Sequence, residues 1–137
     1  MDQIIWVDKD SVGIPSIDTQ HKQLVAITNT LFMAIMHDTS EDVLKDTLDA
    51  LAYYANYHFA YEEKLLAEHG YPEDKLASHI AEHRELTRQV HTFIQEAKND
   101  PGTLDIKVFG FLRDWMSCHL SETDSQYSAF LLKKGVR

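Results

Sequence analysis

Five histidines and one glutamate fall on the apolar stripes of four helical segments, and few folds can bury that much polarity. The first stripe runs Ile17, His21, Leu24, Thr28, Leu31, Ile35, stepping by three and four as one buried face of a helix does. The second follows Ser40, a candidate N-cap with Glu41 and Asp42 in the first turn behind it. It continues Leu44, Leu48, Leu51, Ala55, His58, Glu62, Leu65 and should stop at Gly70, which suits a left-handed C-cap. Pro72 fits the first turn of a third helix with the stripe Leu76, His79, His83, Leu86, Val90, Phe93, Ala97. Asn99-Asp100-Pro101-Gly102 breaks that helix, and a fourth carries Val108, Leu112, Trp115 and His119 on one face. An extended arm containing Trp6, Gly13 and Pro15 precedes the helices, and the tail from Tyr127 to Leu132 packs back as a last helical turn or two. Short connections make neighbours antiparallel. The expected fold is therefore all-α, an up-down-up-down four-helix bundle with an N-terminal arm and a short C-terminal helical segment, with residues 1–137 forming one domain.

Bundle geometry brings the polar residues to one height. His21 and His58 are nearly equidistant from a turn at residue 39, and the pairs His58/Glu62 and His79/His83 are nearly equidistant from a turn at residue 71. His119 and Asp124 return to the same level, so five imidazoles and two carboxylates gather in one buried layer. A lone interior histidine is usually just hydrogen-bonded to the backbone, but so many at one height point to a metal site. Coordination is the usual compensation for that much buried polarity. The spacing has a reason: residues four apart project from one helical face, so one helix supplies two ligands. His119 and Asp124 are five apart, about 140° round an ideal helix, so a π-type bulge or a bend is expected between them.

The rest of the sequence excludes other classes. A formal net charge of −9 argues against nucleic acid or anionic lipid as a partner. No run approaches the roughly 18 apolar residues of a membrane span, so no membrane association is expected. Met1 to Asp10 holds three aspartates and no secretion-type pattern, and Cys118 is the single cysteine, so a cytoplasmic location is expected. Cys118 is read as a packing residue, while His37 and His91 fall off the stripes and are read as solvated. His69 sits where a cation suits the end of the second helix. Asp18 and Gln20 could hydrogen-bond a ligand or lie on the surface.

The ordered set His21, His58-x-x-x-Glu62, His79-x-x-x-His83 and His119-x-x-x-x-Asp124 resembles the hemerythrin family, more narrowly its single-domain bacterial members. The resemblance extends to Trp6, Gly13-Ile14, Ile17-Asp18-x-Gln20-His21, Phe59, Glu62-Glu63, Gly70-Tyr71-Pro72 and Trp115-x-x-x-His119. It implies two non-haem Fe ions bridged by Glu62, Asp124 and an oxo or hydroxo group. His79, His83 and His119 would hold one iron and His21 and His58 the other. The first iron then has six ligands and the second five, which leaves one position for O2. The implied function is reversible O2 binding by a carrier or store rather than an enzyme, through two-electron transfer from the di-ferrous pair. An unidentified protein receiving the O2 is a conceivable partner. Trp115 and Met116 would neighbour an apolar O2 pocket, with Met116 standing where the family has Leu.

Other classes fit less well. Carboxylate-rich di-iron enzymes use Glu-x-x-His pairs, which this chain lacks, although slow chemistry on peroxide or nitric oxide is an open alternative. Zinc proteases use His-Glu-x-x-His, also absent, and seven ligands are too many for one tetrahedral ion. Sensing of O2, iron or redox state normally needs an output domain or a binding partner.

Overall fold

The computed structural model describes residues 3–37, 41–103, 105–120 and 125–136. Among the described residues five α-helices follow one another: α1 Pro15–Met36, α2 Glu41–Glu68, α3 Glu73–Asn99, α4 Ile106–Cys118 and α5 Ser125–Lys133. Among the described residues there is no strand, and no helix is long and apolar enough to cross a membrane. Ser40, expected as the cap of α2, lies outside the described residues.

The first four helices form the bundle. Helix α2 packs on both α1 and α3, and α1 packs on α4. His21 near the start of α1 meets His58 near the end of α2, and His83 near the start of α3 meets His119 at the end of α4. Consecutive helices therefore run antiparallel. The buried positions follow the sequence stripes closely, with one shift: Leu66, not Leu65, is fully covered at the end of α2.

Local chemistry sets the helix ends that matter for the site. Pro15 occupies the first helical position of α1, where its missing N–H leaves no bond unmade. Just upstream, the Asp18 carboxylate accepts the Val12 N–H at 2.9 Å and the Ser11 hydroxyl, closing the arm onto the helix start. Further out, Ile4 exchanges two hydrogen bonds with the Asn29 amide, at 2.8 and 2.9 Å, so the arm lies along α1. Helix α2 stops where expected. Gly70 is left-handed at φ 76°, and the Tyr71 N–H reaches back to the Leu66 carbonyl at 3.0 Å, the six-to-one bond of a Schellman ending. Pro72, expected inside the first turn of the third helix, is instead its N-cap residue. Its extended backbone, ψ 133°, sets the direction, and its carbonyl accepts the Leu76 N–H at 2.9 Å. The Asp105 side chain caps α4 through the Lys107 N–H at 2.9 Å.

Two apolar clusters fill the interior. One includes Leu31, Leu48, Leu51, Leu86, Leu112 and Met116. The other gathers Val12, Ile14, Ile17, Leu66, Tyr127 and Leu131 from the arm, the bundle end and α5. On α1 the polar His21 lies between Ile17 of one cluster and Leu24 of the other, and on α2 Glu62 lies between Phe59 and Leu66. The polar layer is thus sealed above and below by apolar side chains, and α5 supplies part of one seal.

Candidate metal centre

Each helix of the bundle contributes to the layer at the height its register predicts. His21, His58, Glu62, His79, His83 and His119 are all buried. Their donor atoms form two groups. Glu62, His79, His83 and His119 make one and His21, His58 and Glu62 the other, and within each group the ligand atoms lie within 4.8 Å of one another. Glu62 belongs to both.

The two carboxylate oxygens divide the histidines between them. Oε1 faces His79 Nε2 at hydrogen-bond distance and His83 Nε2 at 3.2 Å, while Oε2 faces His58 Nε2 at 3.0 Å and His21 Nε2 at 3.4 Å. The histidines of each group also meet through their inner nitrogens. His21 and His58 are 3.0 Å apart at Nε2, and His83 and His119 are 3.2 Å apart. Two nitrogens held about 2.1 Å from one ion at a right angle would lie about 3.0 Å apart, so these spacings fit shared coordination. Five inward imidazole nitrogens and one two-faced carboxylate suit borderline divalent metals such as iron.

The outer nitrogens of His58, His83 and His119 are held as well. Gln20 Oε1 lies 2.7 Å from His58 Nδ1, Glu63 Oε2 lies 2.9 Å from His83 Nδ1, and Glu82 Oε1 lies 3.1 Å from His119 Nδ1. An acceptor at Nδ1 favours a proton there, so that Nε2 can give up its inward hydrogen bond and present a lone pair to a metal. Ring stacking fixes the same side chains: Phe59 lies parallel to His83 with centroids 3.9 Å apart, and Trp115 lies against His119 at 4.4 Å. From α5 the Tyr127 hydroxyl donates to Glu62 Oε2 at 2.8 Å.

Burial alone would push the Glu62 carboxyl up. The charge of His58 and hydrogen bonds from His21, His58 and His79 outweigh it and hold the group well below the ordinary carboxylate range. The centre therefore keeps an ionised carboxylate at its midpoint. The family model described as the hemerythrin HHE cation binding domain matches residues 12–131. The chain belongs to the hemerythrin family.

Hemerythrin relatives of similar length support the assignment. A bacteriohemerythrin of Clostridium acetobutylicum is 31% identical over 90% of this chain and 97% of its own length. One from Pseudomonas aeruginosa is 29% identical over 93% of this chain and 80% of its own. A crystal structure of wild-type hemerythrin superposes with a TM-score of 0.86 at 24% identity, covering 93% of this chain and 97% of that one. Hemerythrins bind iron, and the fold here is their four-helix bundle.

Of the seven residues that the sequence assigns to the centre, the structure brings six together. The seventh, Asp124, lies outside the described residues. Just before it, residues 119–120 take a π-helical turn at the end of α4, where a change of helical register was expected. Met116 is buried beside Thr28, whose hydroxyl lies 3.3 Å from its sulfur. Trp115 is half-buried over His119. His37 and His91 are exposed, as read from the sequence, and His69 bonds the Leu65 carbonyl at 2.8 Å at the end of α2. Cys118, read as a packing residue, is exposed instead, because it faces away from the turn that buries His119. Asp18 serves the arm and touches no histidine of the layer through its carboxylate bonds to Ser11 and Val12. Glu63, Glu82 and Tyr127 were not anticipated as partners of the centre. Two of them adjoin a candidate ligand in sequence, Glu63 next to Glu62 and Glu82 next to His83, and that adjacency was the available signal.

Proposed function

We propose that the layer holds two iron ions and that the protein binds O2 reversibly there. The observation that carries this reading is the division of Glu62, one oxygen facing three histidines' side of the layer and the other facing two. His79, His83 and His119 are then the ligands of one ion and His21 and His58 those of the other. Glu62 would be shared between the two ions, with Asp124 and an oxo or hydroxo group proposed as further shared ligands. A di-iron group held by these residues would supply reversible two-electron chemistry toward O2. The ion with two histidines has fewer protein ligands, so O2 is assigned to that side.

The surrounding side chains favour carriage over turnover. Met116 and Leu24 belong to the apolar cluster that closes one side of the layer, and Ile14 and Ile17 belong to the cluster on the other. A dry wall limits water and protons, and with them the reduction of O2. Met116 and Trp115 are proposed as neighbours of the gas, the first on the α1 side beside Thr28 and the second over His119.

Anaerobic reconstitution with ferrous iron, followed by air and then argon, tests the proposal. A visible band should rise in air, fall under argon and return in air. A band that rises once and never reverses would point instead to oxidase or peroxidase chemistry, and no band at all would end the proposal.

A further inference from the structure

Helix α5 stands outside the four-helix bundle, yet it sends one side chain into the polar layer. Tyr127 is 0% exposed, and its hydroxyl donates to Glu62 Oε2 at 2.8 Å across 65 residues of sequence. The ring is fixed on two sides. It lies edge-on to His79, with centroids 5.5 Å apart, and it belongs to the apolar cluster of Val12, Ile17, Leu66 and Leu131. A buried tyrosine needs an acceptor for its O–H, and any main-chain carbonyl would serve for packing alone. This hydroxyl is aimed instead at the carboxylate that both groups of histidines share.

The oxygen it meets matters. Oε2 faces His58 and His21, the side to which O2 is assigned, whereas Oε1 faces His79 and His83. An ionised carboxylate offers about four lone-pair sites on its two oxygens. One ion on each side would replace the inward imidazole contacts and take one site per oxygen, which leaves a site on Oε2 for the phenol. The Tyr127 hydrogen bond is therefore compatible with a loaded centre. A donor on a ligand oxygen draws negative charge away from the metal side. A trivalent ion loses more by this than a divalent one, because the attraction scales with the charge of the ion.

We propose that Tyr127 is a positioning residue for Glu62 whose hydroxyl, by drawing charge from Oε2, biases the centre toward the ferrous state and slows its irreversible oxidation. Ring and hydroxyl then have separate tasks. The ring completes the apolar seal, and the hydroxyl sets the balance between oxidation states. This inference rests on the di-iron reading, and its test separates the two.

Tyr127→Phe removes the hydroxyl and keeps the ring. Reconstituted anaerobically with ferrous iron, the full chain should still bind two irons. Redox titration should place its midpoint potential below that of the wild type, by the equivalent of about a tenfold change in the ferric-to-ferrous ratio. In air it should lose its reversible band about 3- to 10-fold faster than the wild type. Ser128→Ala loosens α5 at a different point, because the Ser128 hydroxyl donates to the Val12 carbonyl. That variant should melt at a lower temperature with the potential unchanged. A folded Tyr127→Phe chain that binds two irons at the wild-type potential, or that binds fewer than two, would overturn the proposal. So would an equal drop in potential in Ser128→Ala, since the effect would then come from the placement of α5 rather than from the hydroxyl. Each of these results leaves the di-iron reading in place, whereas a wild-type chain that takes up fewer than two irons would overturn both.

Discussion

At the scale of single residues, Glu62 is the part of the centre with no substitute, because one carboxylate faces both groups of histidines. Glu62→Ala should lose bound iron, whereas His37→Ala, an exposed position, should keep the wild-type amount, and metal analysis of the two purified variants decides the matter. The outer acceptors act through the rings they hold. Glu63→Ala should weaken metal affinity about 10- to 100-fold by freeing the His83 ring, as read by competition with a chelator. Protonation of Glu62 sets an acid limit on the metal-free fold. Its carboxyl titrates well below the ordinary value of 4.5, so the stability it contributes is complete above that value and is lost as pH falls toward the lower, folded value. In Glu62→Gln the acid unfolding curve of the metal-free chain should therefore be less steep below about pH 4.5. The buried histidines were legible in the sequence because a helical period assigns each position to the inside or the outside, and a histidine inside demands an explanation. Gln20, Glu63 and Glu82 were harder to place. Each sits on the flank of its helix, where a polar side chain is equally at home in water, and only the angle between neighbouring helices turns it toward an imidazole.

At the scale of elements, the helix ends hold the candidate ligand pairs in register. Gly70 ends α2 two turns beyond Glu62 with a left-handed backbone, and a Cβ there would meet nothing within 4 Å. Strain rather than crowding is then the cost of replacing it. Gly70→Ala should destabilise the protein by roughly 1–2 kcal/mol without changing the metal content of the folded fraction, as measured by urea unfolding and metal analysis. Helix α5 caps the layer from outside the bundle through Tyr127, Leu131 and the Ser128 hydroxyl, which donates to the Val12 carbonyl at 2.5 Å. The sequence predicted the four long helices and their faces because their apolar periods run for many turns. It was less informative at the ends. Pro72 could start a helix from inside or from just outside, and only the extended backbone found there decides between them. The π-helical residues 119–120 stand at the start of the span where a five-residue spacing between two polar positions does not fit a regular helix, and the rest of that span lies outside the described residues.

At the scale of the whole molecule, a chain of 137 residues places six buried polar side chains between two apolar clusters, an arrangement that makes sense only if something charged is held among them. The fold and the centre are in that sense one object. Binding to the folded state alone should raise thermal stability, so the melting temperature should climb with added ferrous iron and stop climbing when the site is full. Anaerobic titration of the chelator-stripped chain with ferrous iron, with the bound metal counted at saturation, tests that account most directly. The account predicts an end point of two irons per chain, whereas saturation at one iron, or at none, in a fully folded chain would contradict it.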